Sequence, residues 1–303
     1  MSWLVFAFCG PVLWAISVHL DKYLVDRYFK QSSAAVLLVF TAWVGVLLLP
    51  FIAIYQPASL ELPPASIAVM TLSGVLYMGA MLFYLQALQE EEASVVAPFF
   101  QTSPVFAYAL AYIVLGETLS GRQVLGGAMI LVGAVLLSLR AGNGRKTTIK
   151  TSLVVKMLVC AFSLAVSSLI FKAFAVEEAF WPTTFWMLVG EAIFGAGLLA
   201  VPDYRRQFFT LVRTHTVPVL TVNFVNELIN LGGGLGARYA LMFAPLSIVQ
   251  AIGSTTTLFV FIFGSLLSLV SPGIVREDLS ARNLAQKGIS AVLIVAGVTL
   301  ATR

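Results

Sequence analysis

Four polar residues within one apolar stretch are the strongest candidates for chemistry in this 303-residue sequence. Asn223, Asn226, Glu227 and Asn230 interrupt residues 221–242, a stretch long enough to cross a membrane. At helical spacing they share one sector of the surface, and apolar residues occupy the other sides. Carboxylate and carboxamide groups facing hydrocarbon each cost several kcal/mol. The pattern therefore predicts that this side of a helix forms one wall of a polar cavity.

A second carboxyl group, that of Glu191, lies halfway along the apolar stretch 180–201. Carboxyl groups inside a membrane are functional candidates by default, although a hydrogen bond to a neighbouring helix is a purely structural alternative. A carboxyl group in a cavity that opens first to one side and then to the other can take up and release protons. We therefore predict Glu227 as the primary proton-coupling group and Glu191 as the second candidate.

Five further side chains complete the predicted substrate cavity. Polar stripes along the fourth and ninth apolar stretches contribute most of them, and the remaining one is a histidine of the first stretch. For the histidine an interfacial position is the alternative, and for the ninth-stretch residues it is interhelical hydrogen bonding. The five are His19, Gln101, Tyr108, Gln250 and Ser254. Lys156 and Lys172 are expected to extend to the membrane interfaces rather than to bind anything.

The composition places the chain in a membrane. It is 59% hydrophobic and only 11% charged, whereas soluble proteins carry about a quarter charged residues. Because open sheets cannot satisfy their backbone polar groups in lipid, all spans should be helices. We predict an all-α integral membrane protein with ten transmembrane helices, at residues 3–24, 34–55, 65–88, 94–115, 123–139, 152–174, 180–201, 216–242, 245–270 and 284–301.

Several other functions are disfavoured by the sequence. The net charge of +4 is scattered over short loops, which argues against nucleic-acid binding. Cys9 and Cys160 lie in apolar stretches and the two histidines have no ligand constellation nearby, so we expect neither a metal nor a cofactor. No zinc motif, paired aspartates or serine/histidine dyad stands at catalytic spacing, and an enzyme is therefore not expected.

The two halves of the chain resemble each other. EASVVAPFFQTSP aligns with APLSIVQAIGSTT, which sets Gln101 opposite Ser254, and the turns GETLSGRQ and REDLSARN set Glu117 opposite Glu277. We predict two five-helix units, residues 1–140 and 152–303, joined by a polar linker at 141–151. An odd number of spans per unit gives the units opposite orientations, and inverted repeats of this kind are typical of secondary transporters.

Three motifs carry a resemblance to a known family. The A-S-V-V-x-P opening of the fourth helix, the GETLS turn and the following L-G-G-x-x-I-L-x-G helix resemble the drug/metabolite transporter superfamily, EamA type. The second half departs from it, because Arg276 replaces the glycine before Glu277. The resemblance implies a ten-helix inverted-repeat transporter with a central cavity. The substrates of the family are diverse, including amino acids, nucleotide-linked sugars, metabolites and drugs.

Loop charges bear on orientation. With the N-terminus inside, fourteen basic residues fall in outer loops and only four, Arg122, Lys172, Arg238 and Arg303, at inner loops and ends. The positive-inside rule therefore favours both termini outside, whereas the resemblance implies both inside. We give slightly more weight to the charge bias, because it is a property of this chain.

These observations predict a secondary transporter that moves a small metabolite or drug-like solute by alternating access, by proton coupling or exchange. The alternative is a protein that binds or translocates a lipid headgroup or lipid-linked substrate, and transport assays with water-soluble cargo separate the two. The expected location is a plasma membrane or bacterial inner membrane. The expected partners are a small-molecule substrate and the lipid bilayer, and a monomer is compatible with the sequence.

Overall fold

The fold was obtained as a computed structural model, which describes residues 2–27, 33–90, 96, 99–138, 151–214, 216–270 and 281–302. Twelve α-helices are formed by these residues: α1 (Ser2–Arg27), α2 (Ala34–Tyr55), α3 (Pro64–Glu90), α4 (Ser103–Leu115), α5 (Gly121–Ser138), α6 (Thr151–Glu177), α7 (Phe180–Ala200), α8 (Pro202–Thr214), α9 (Thr216–Leu241), α10 (Leu246–Gly253), α11 (Thr256–Val270) and α12 (Ala281–Ala301). A 3-10 turn, Pro57–Leu60, joins α2 to α3. Glu277 and most of the predicted linker lie outside the described residues.

Six segments are long and apolar enough to cross a membrane: Trp3–Asp21, Ala35–Tyr55, Pro64–Ala87, Thr151–Glu177, Phe180–Ala200 and Leu246–Leu269. Three shorter helices, α4, α5 and α12, are also apolar. The 26 residues of α9 extend about 39 Å, which exceeds the hydrocarbon thickness. Its polar residues make it less apolar than the six. The sequence did not predict α8, an amphipathic helix between α7 and α9.

The ninth predicted span is interrupted rather than continuous. A turn at residues 254–255 separates α10 from α11, and a turn at residues 101–102 precedes α4. In each turn a threonine hydroxyl donates to the carbonyl three residues back, Thr102 at 2.6 Å and Thr255 at 2.7 Å. The alignment of the two halves sets these threonines opposite each other. The chain is therefore broken in the same way at equivalent positions.

The helices also pair across the two halves. α1 packs along α9, and α3 packs along α6. In both pairs the first span of one half contacts the third span of the other. α2 packs on α7, and α5 packs on α12, so that second contacts second and fifth contacts fifth. Every one of these extensive contacts joins one half of the sequence to the other.

Helices α3 and α7 cross at two glycines beside Glu191, and their backbones are in direct contact there. A Cβ atom added to Gly190 would lie 2.0 Å from the carbonyl oxygen of Thr71, and one added to Gly74 would lie 1.9 Å from that of Met187. Only glycine permits so close an approach. Because Glu191 follows Gly190 directly, this crossing fixes the position of its carboxyl group.

Candidate functional site

A narrow polar cavity lies where helices of the two halves meet. Its walls come from α2 and α3 of the first half and from α7 and α9 of the second, and the lining residues are Thr41, Val44, Gly45, Tyr77, Glu191, Glu227, Asn230, Leu231, Gly234 and Arg238. Its volume of about 20 Å³ suffices for an ordered water but not for a metabolite. In this structure the cavity is therefore too small to hold a metabolite.

Two uncharged donors, Thr41 and Asn230, hold the Glu227 carboxyl group in the cavity wall. Its side chain is buried, with a residue exposure of 5%. Oε1 accepts a hydrogen bond of 2.8 Å from the hydroxyl of Thr41, and Oε2 accepts one of 3.4 Å from the amide of Asn230. No cation contacts this carboxyl group among the described side chains.

Glu191 differs because it has a cation beside it. Arg238 Nη2 donates to Glu191 Oε1 at 2.9 Å, and both side chains are largely buried. The guanidinium also lies 5.5 Å from the ring centre of Tyr77 and 5.9 Å from that of Phe171, within cation–π range. Its Nη1 atom is buried without a hydrogen-bond partner in the described part of the chain. Glu191 thus has its charge balanced by Arg238, whereas no described cation contacts Glu227.

A third carboxyl group, that of Asp21, lies on α1 next to the same face of α9. Its Oδ1 accepts a hydrogen bond of 2.7 Å from the amide of Asn226. Asn226 and Asn223 are both buried. Neither polar side-chain atom of Asn223 has a hydrogen-bond partner among the described residues. The cluster therefore contains three acids, on α1, α7 and α9, and one arginine.

The structure brings only part of the predicted cavity together. Glu191, Glu227 and Asn230 line it, and Asn223 and Asn226 lie on the same helix. The remaining five do not line it. His19 donates to the carbonyl of Val260 at 3.1 Å, and Gln250 donates to the hydroxyl of Ser168 at 2.7 Å. The hydroxyl of Ser254 donates to the carbonyl of Gln250 at 3.5 Å, Gln101 is buried, and Tyr108 is 38% exposed.

Sequence reasoning missed two charged members of the cluster, Asp21 and Arg238. Arg238 was counted among the charges of loops and helix ends, and it does lie in the last turn of α9, but its side chain is largely buried and pairs with Glu191. The signal was present: a carboxyl group at the centre of a span requires a counter-charge, and few cations lie within spans. Asp21 was overlooked because it stands near the end of its apolar stretch.

The expectation that Lys172 binds nothing is wrong. Its ammonium group forms a buried ion pair with Glu117 and donates to the carbonyl of Ala244 at 2.5 Å. Glu117 Oε2 also accepts from the backbone N–H of Leu246 at 2.9 Å, at the start of α10. This Glu117–Lys172 latch joins the α4–α5 turn to α6 and to the α9–α10 connection. Neither Lys172 nor Arg238 is a loop charge.

Buried carboxyl groups among apolar helices of membrane length define a multi-pass integral membrane protein with an internal polar site. The model of the EamA-like transporter family matches residues 1–139. This match confirms the resemblance to the drug/metabolite transporter superfamily, EamA type, for the first half of the chain. The family is a family of transporters rather than of enzymes.

Comparison with solved structures supports the fold over the whole chain. One chain, described only as "Crystal structure of protein", superposes with a TM-score of 0.66 and 17% identity, covering 99% of this chain and 96% of the other. At this identity the likeness concerns the fold alone. A search of curated proteins finds no match.

Proposed function

We propose that this chain is a secondary transporter that moves a small solute by alternating access, with Glu227 as its proton-exchanging group. The observation that carries the proposal is the buried Glu227 carboxyl group, which lines an internal cavity. It is held by Thr41 and Asn230, and no cation of the described residues contacts it. Such a group in a membrane is costly unless its charge is balanced transiently by a proton or a cargo.

The position of the cavity supports a transport role. The second and third spans of each half supply its lining residues, so the cavity lies between the two units proposed to form an inverted repeat. Transporters built from inverted repeats bind their substrates at such an interface near the middle of the membrane. The equivalent turns at residues 101–102 and 254–255 and the matched pairing of helices support the same two-unit arrangement.

The two candidate carboxyl groups receive different roles. Glu191 is balanced by Arg238, so we assign it chiefly to holding α7 against α9, and it remains the second candidate for proton exchange. Asp21 binds the amide of Asn226, the residue that directly precedes Glu227 on α9. The presence of a second acid favours cation or proton occupancy of the cluster, because like charges in a low-dielectric interior repel strongly.

The test uses proteoliposomes that contain a pH-sensitive dye. Pools of water-soluble metabolites are added outside, and proton movement into or out of the vesicles is recorded. Wild-type protein should move protons with at least one pool. Glu227→Gln should abolish that signal, while Glu61→Gln, which changes an exposed acid outside the spans, should retain it.

Two results would overturn the proposal. Proton movement that persists unchanged in Glu227→Gln would remove Glu227 from the coupling step. A wild-type protein that moves no water-soluble solute, but exchanges labelled lipid between leaflets, would replace the transporter by the lipid-handling alternative.

A further inference from the structure

Three buried polar atoms in the first half of α9 have no hydrogen-bond partner among the described residues. They are the two side-chain polar atoms of Asn223 and the Oδ1 atom of Asn226. The exposed fraction of these residues is 0% for Asn223 and 1% for Asn226. A buried polar atom without a partner is costly, so folded proteins satisfy nearly all such atoms with protein groups, ordered water or an ion.

The two asparagines lie on the side of α9 that meets α1. Asn223 stands three residues before Asn226 and four before Glu227, and residues at these spacings are neighbours on a helix surface. α1 packs closely along α9, since a Cβ atom added to Gly236 would lie 2.7 Å from that of Cys9. The close packing of the two helices fixes the position of α1 side chains beside these asparagines.

Asp21 of α1 supplies a negative charge at this place. The amide of Asn226 donates to Asp21 Oδ1 at 2.7 Å, which leaves the Asn226 oxygen free to bind another group. No cation of the described residues contacts Asp21. Ser17 is buried and stands one turn earlier on α1, so its hydroxyl lies on the same side of that helix. One carboxylate and three neutral side chains with oxygen atoms therefore face the α1–α9 contact.

This set of groups suits a metal cation of single charge. Carboxylate, carboxamide and hydroxyl oxygens are the ligands that hard cations prefer. A monovalent ion balances the one carboxylate, whereas a divalent ion would leave a positive charge unbalanced among apolar helices. A proton on Asp21 would also balance the charge, but a protonated carboxyl group has one O–H donor and cannot satisfy the oxygens of both asparagines.

We propose that Asp21, Asn223 and Asn226 bind a sodium ion between α1 and α9, with Ser17 as a further oxygen ligand. The short contact between Asn226 and Asp21 favours a small ion over a large one. Asp21 is partly buried and is the last residue of the apolar segment Trp3–Asp21, so the ion reaches the site from water at this end of α1. This inference does not depend on proton exchange by Glu227.

The experiment measures the thermal unfolding of the purified full-length protein in detergent without any cargo. Sodium chloride replaces choline chloride stepwise at constant ionic strength, and potassium chloride is titrated in parallel. An ion that binds only the folded protein stabilises it in proportion to the logarithm of its concentration above the dissociation constant. The melting temperature of the wild-type protein should therefore rise with sodium, and much less with potassium.

Two variants test the proposed ligands. Asp21→Asn removes the charge at constant size and should abolish the response to sodium. Asn223→Ala should weaken sodium binding about tenfold or more, since loss of even an outer-shell partner costs about 10–100-fold in metal affinity. In choline alone Asn223→Ala should be at least as stable as the wild type, because it removes two buried polar atoms without partners. An asparagine with a purely structural role would instead lower the melting temperature in both salts.

Matched controls change the same chemical groups elsewhere in the chain. Asp203→Asn alters an exposed aspartate of α8, and Gln250→Ala removes a carboxamide that bonds Ser168. Both should keep the full sodium response. Glu227→Gln should also keep it, which separates this site from the proposed proton-exchanging group. A cooperative unfolding transition in choline shows that each variant folds.

Three results would overturn the proposal. A melting temperature that does not change with sodium, or that rises equally with potassium, would mean that no sodium site exists. A full sodium response in both Asp21→Asn and Asn223→Ala would place the ion elsewhere. Loss of the response in Glu227→Gln but not in Asp21→Asn would assign the ion to the central cavity.

Discussion

Arg238 and Glu191 form a buried ion pair that connects α9 to α7 across the central cavity. The arginine also lies near the rings of Tyr77 on α3 and Phe171 on α6. One guanidinium group therefore contacts three helices besides its own. Because its partner Glu191 follows the Gly190 crossing, the pair depends on how closely α3 and α7 approach.

Removing only one member of this pair should be strongly destabilising. Arg238→Gln leaves the Glu191 carboxylate buried without its cation, and loss of one partner of a buried pair typically costs about 3–5 kcal/mol. The double variant Glu191→Gln, Arg238→Gln should lose less than the sum of the two single variants, because their effects couple. Unfolding free energies in detergent give the coupling energy. Strict additivity would mean that the two side chains do not interact in the folded protein.

Close packing of α3 on α7 should be as important as the ion pair. Gly190→Ala places a methyl group 2.0 Å from the carbonyl oxygen of Thr71 and must displace one helix, which we expect to cost about 1–3 kcal/mol. Gly197→Ala is the control on the same helix, since a Cβ atom there meets nothing within 4 Å. Thermal unfolding of both variants checks this. A Gly190→Ala variant as stable as Gly197→Ala would contradict the crossing.

Hydrogen bonding to Glu227 should be needed for transport itself. Thr41→Val removes the hydroxyl that donates to Glu227 Oε1 but keeps the shape of the side chain. Proton-coupled uptake should fall about tenfold or more, because a hydrogen bond to a charged group contributes about 1.5–3 kcal/mol. Thr41→Ser restores the donor and should restore uptake. If valine and serine behave alike in the vesicle assay, this hydrogen bond has no part in transport.

The sequence predicted the polar face of α9 better than it predicted the contacts of that helix with its neighbours. Asn223, Asn226, Glu227 and Asn230 were identified because four polar residues at helical spacing are conspicuous in an apolar stretch. Arg238 on the same helix was missed, because a basic residue near a span end is normally a loop or interface residue. Pairing of Glu191 with Arg238 depends on the approach of α7 to α9, which no local pattern encodes.

The same limit explains why the contacts of His19 and Lys172 and the helix α8 were not predicted. His19 lies on a polar stripe of α1, but the carbonyl it contacts, that of Val260, belongs to a helix 241 residues later. The sequence around Lys172 is typical of an interfacial lysine. Its partner Glu117 lies in the α4–α5 turn, far away in the sequence, so the local pattern does not predict the pair. The helix α8 was not predicted, because a short segment with three arginines between two apolar stretches is typical of a loop.

Substitutions of Glu117 can separate its ion pair with Lys172 from its hydrogen bond to Leu246. Glu117 pairs with Lys172 and also accepts from the N–H of Leu246, where α10 has no capping side chain of its own. Glu117→Gln keeps an acceptor for Leu246 and loses only the charge, whereas Glu117→Ala loses both. The alanine variant should therefore be less stable than the glutamine variant by about 1 kcal/mol, the usual contribution of a helix cap.

Lys172→Met provides the matching control for the charge. It removes the ammonium group but keeps an unbranched apolar chain, so its melting temperature should fall to about that of Glu117→Gln rather than that of Glu117→Ala. Combining Lys172→Met with Glu117→Gln should add little further loss, because neither residue then leaves a buried charge unpaired. If glutamine and alanine at position 117 are equally stable, Glu117 acts only through its charge, and its contact with α10 contributes nothing.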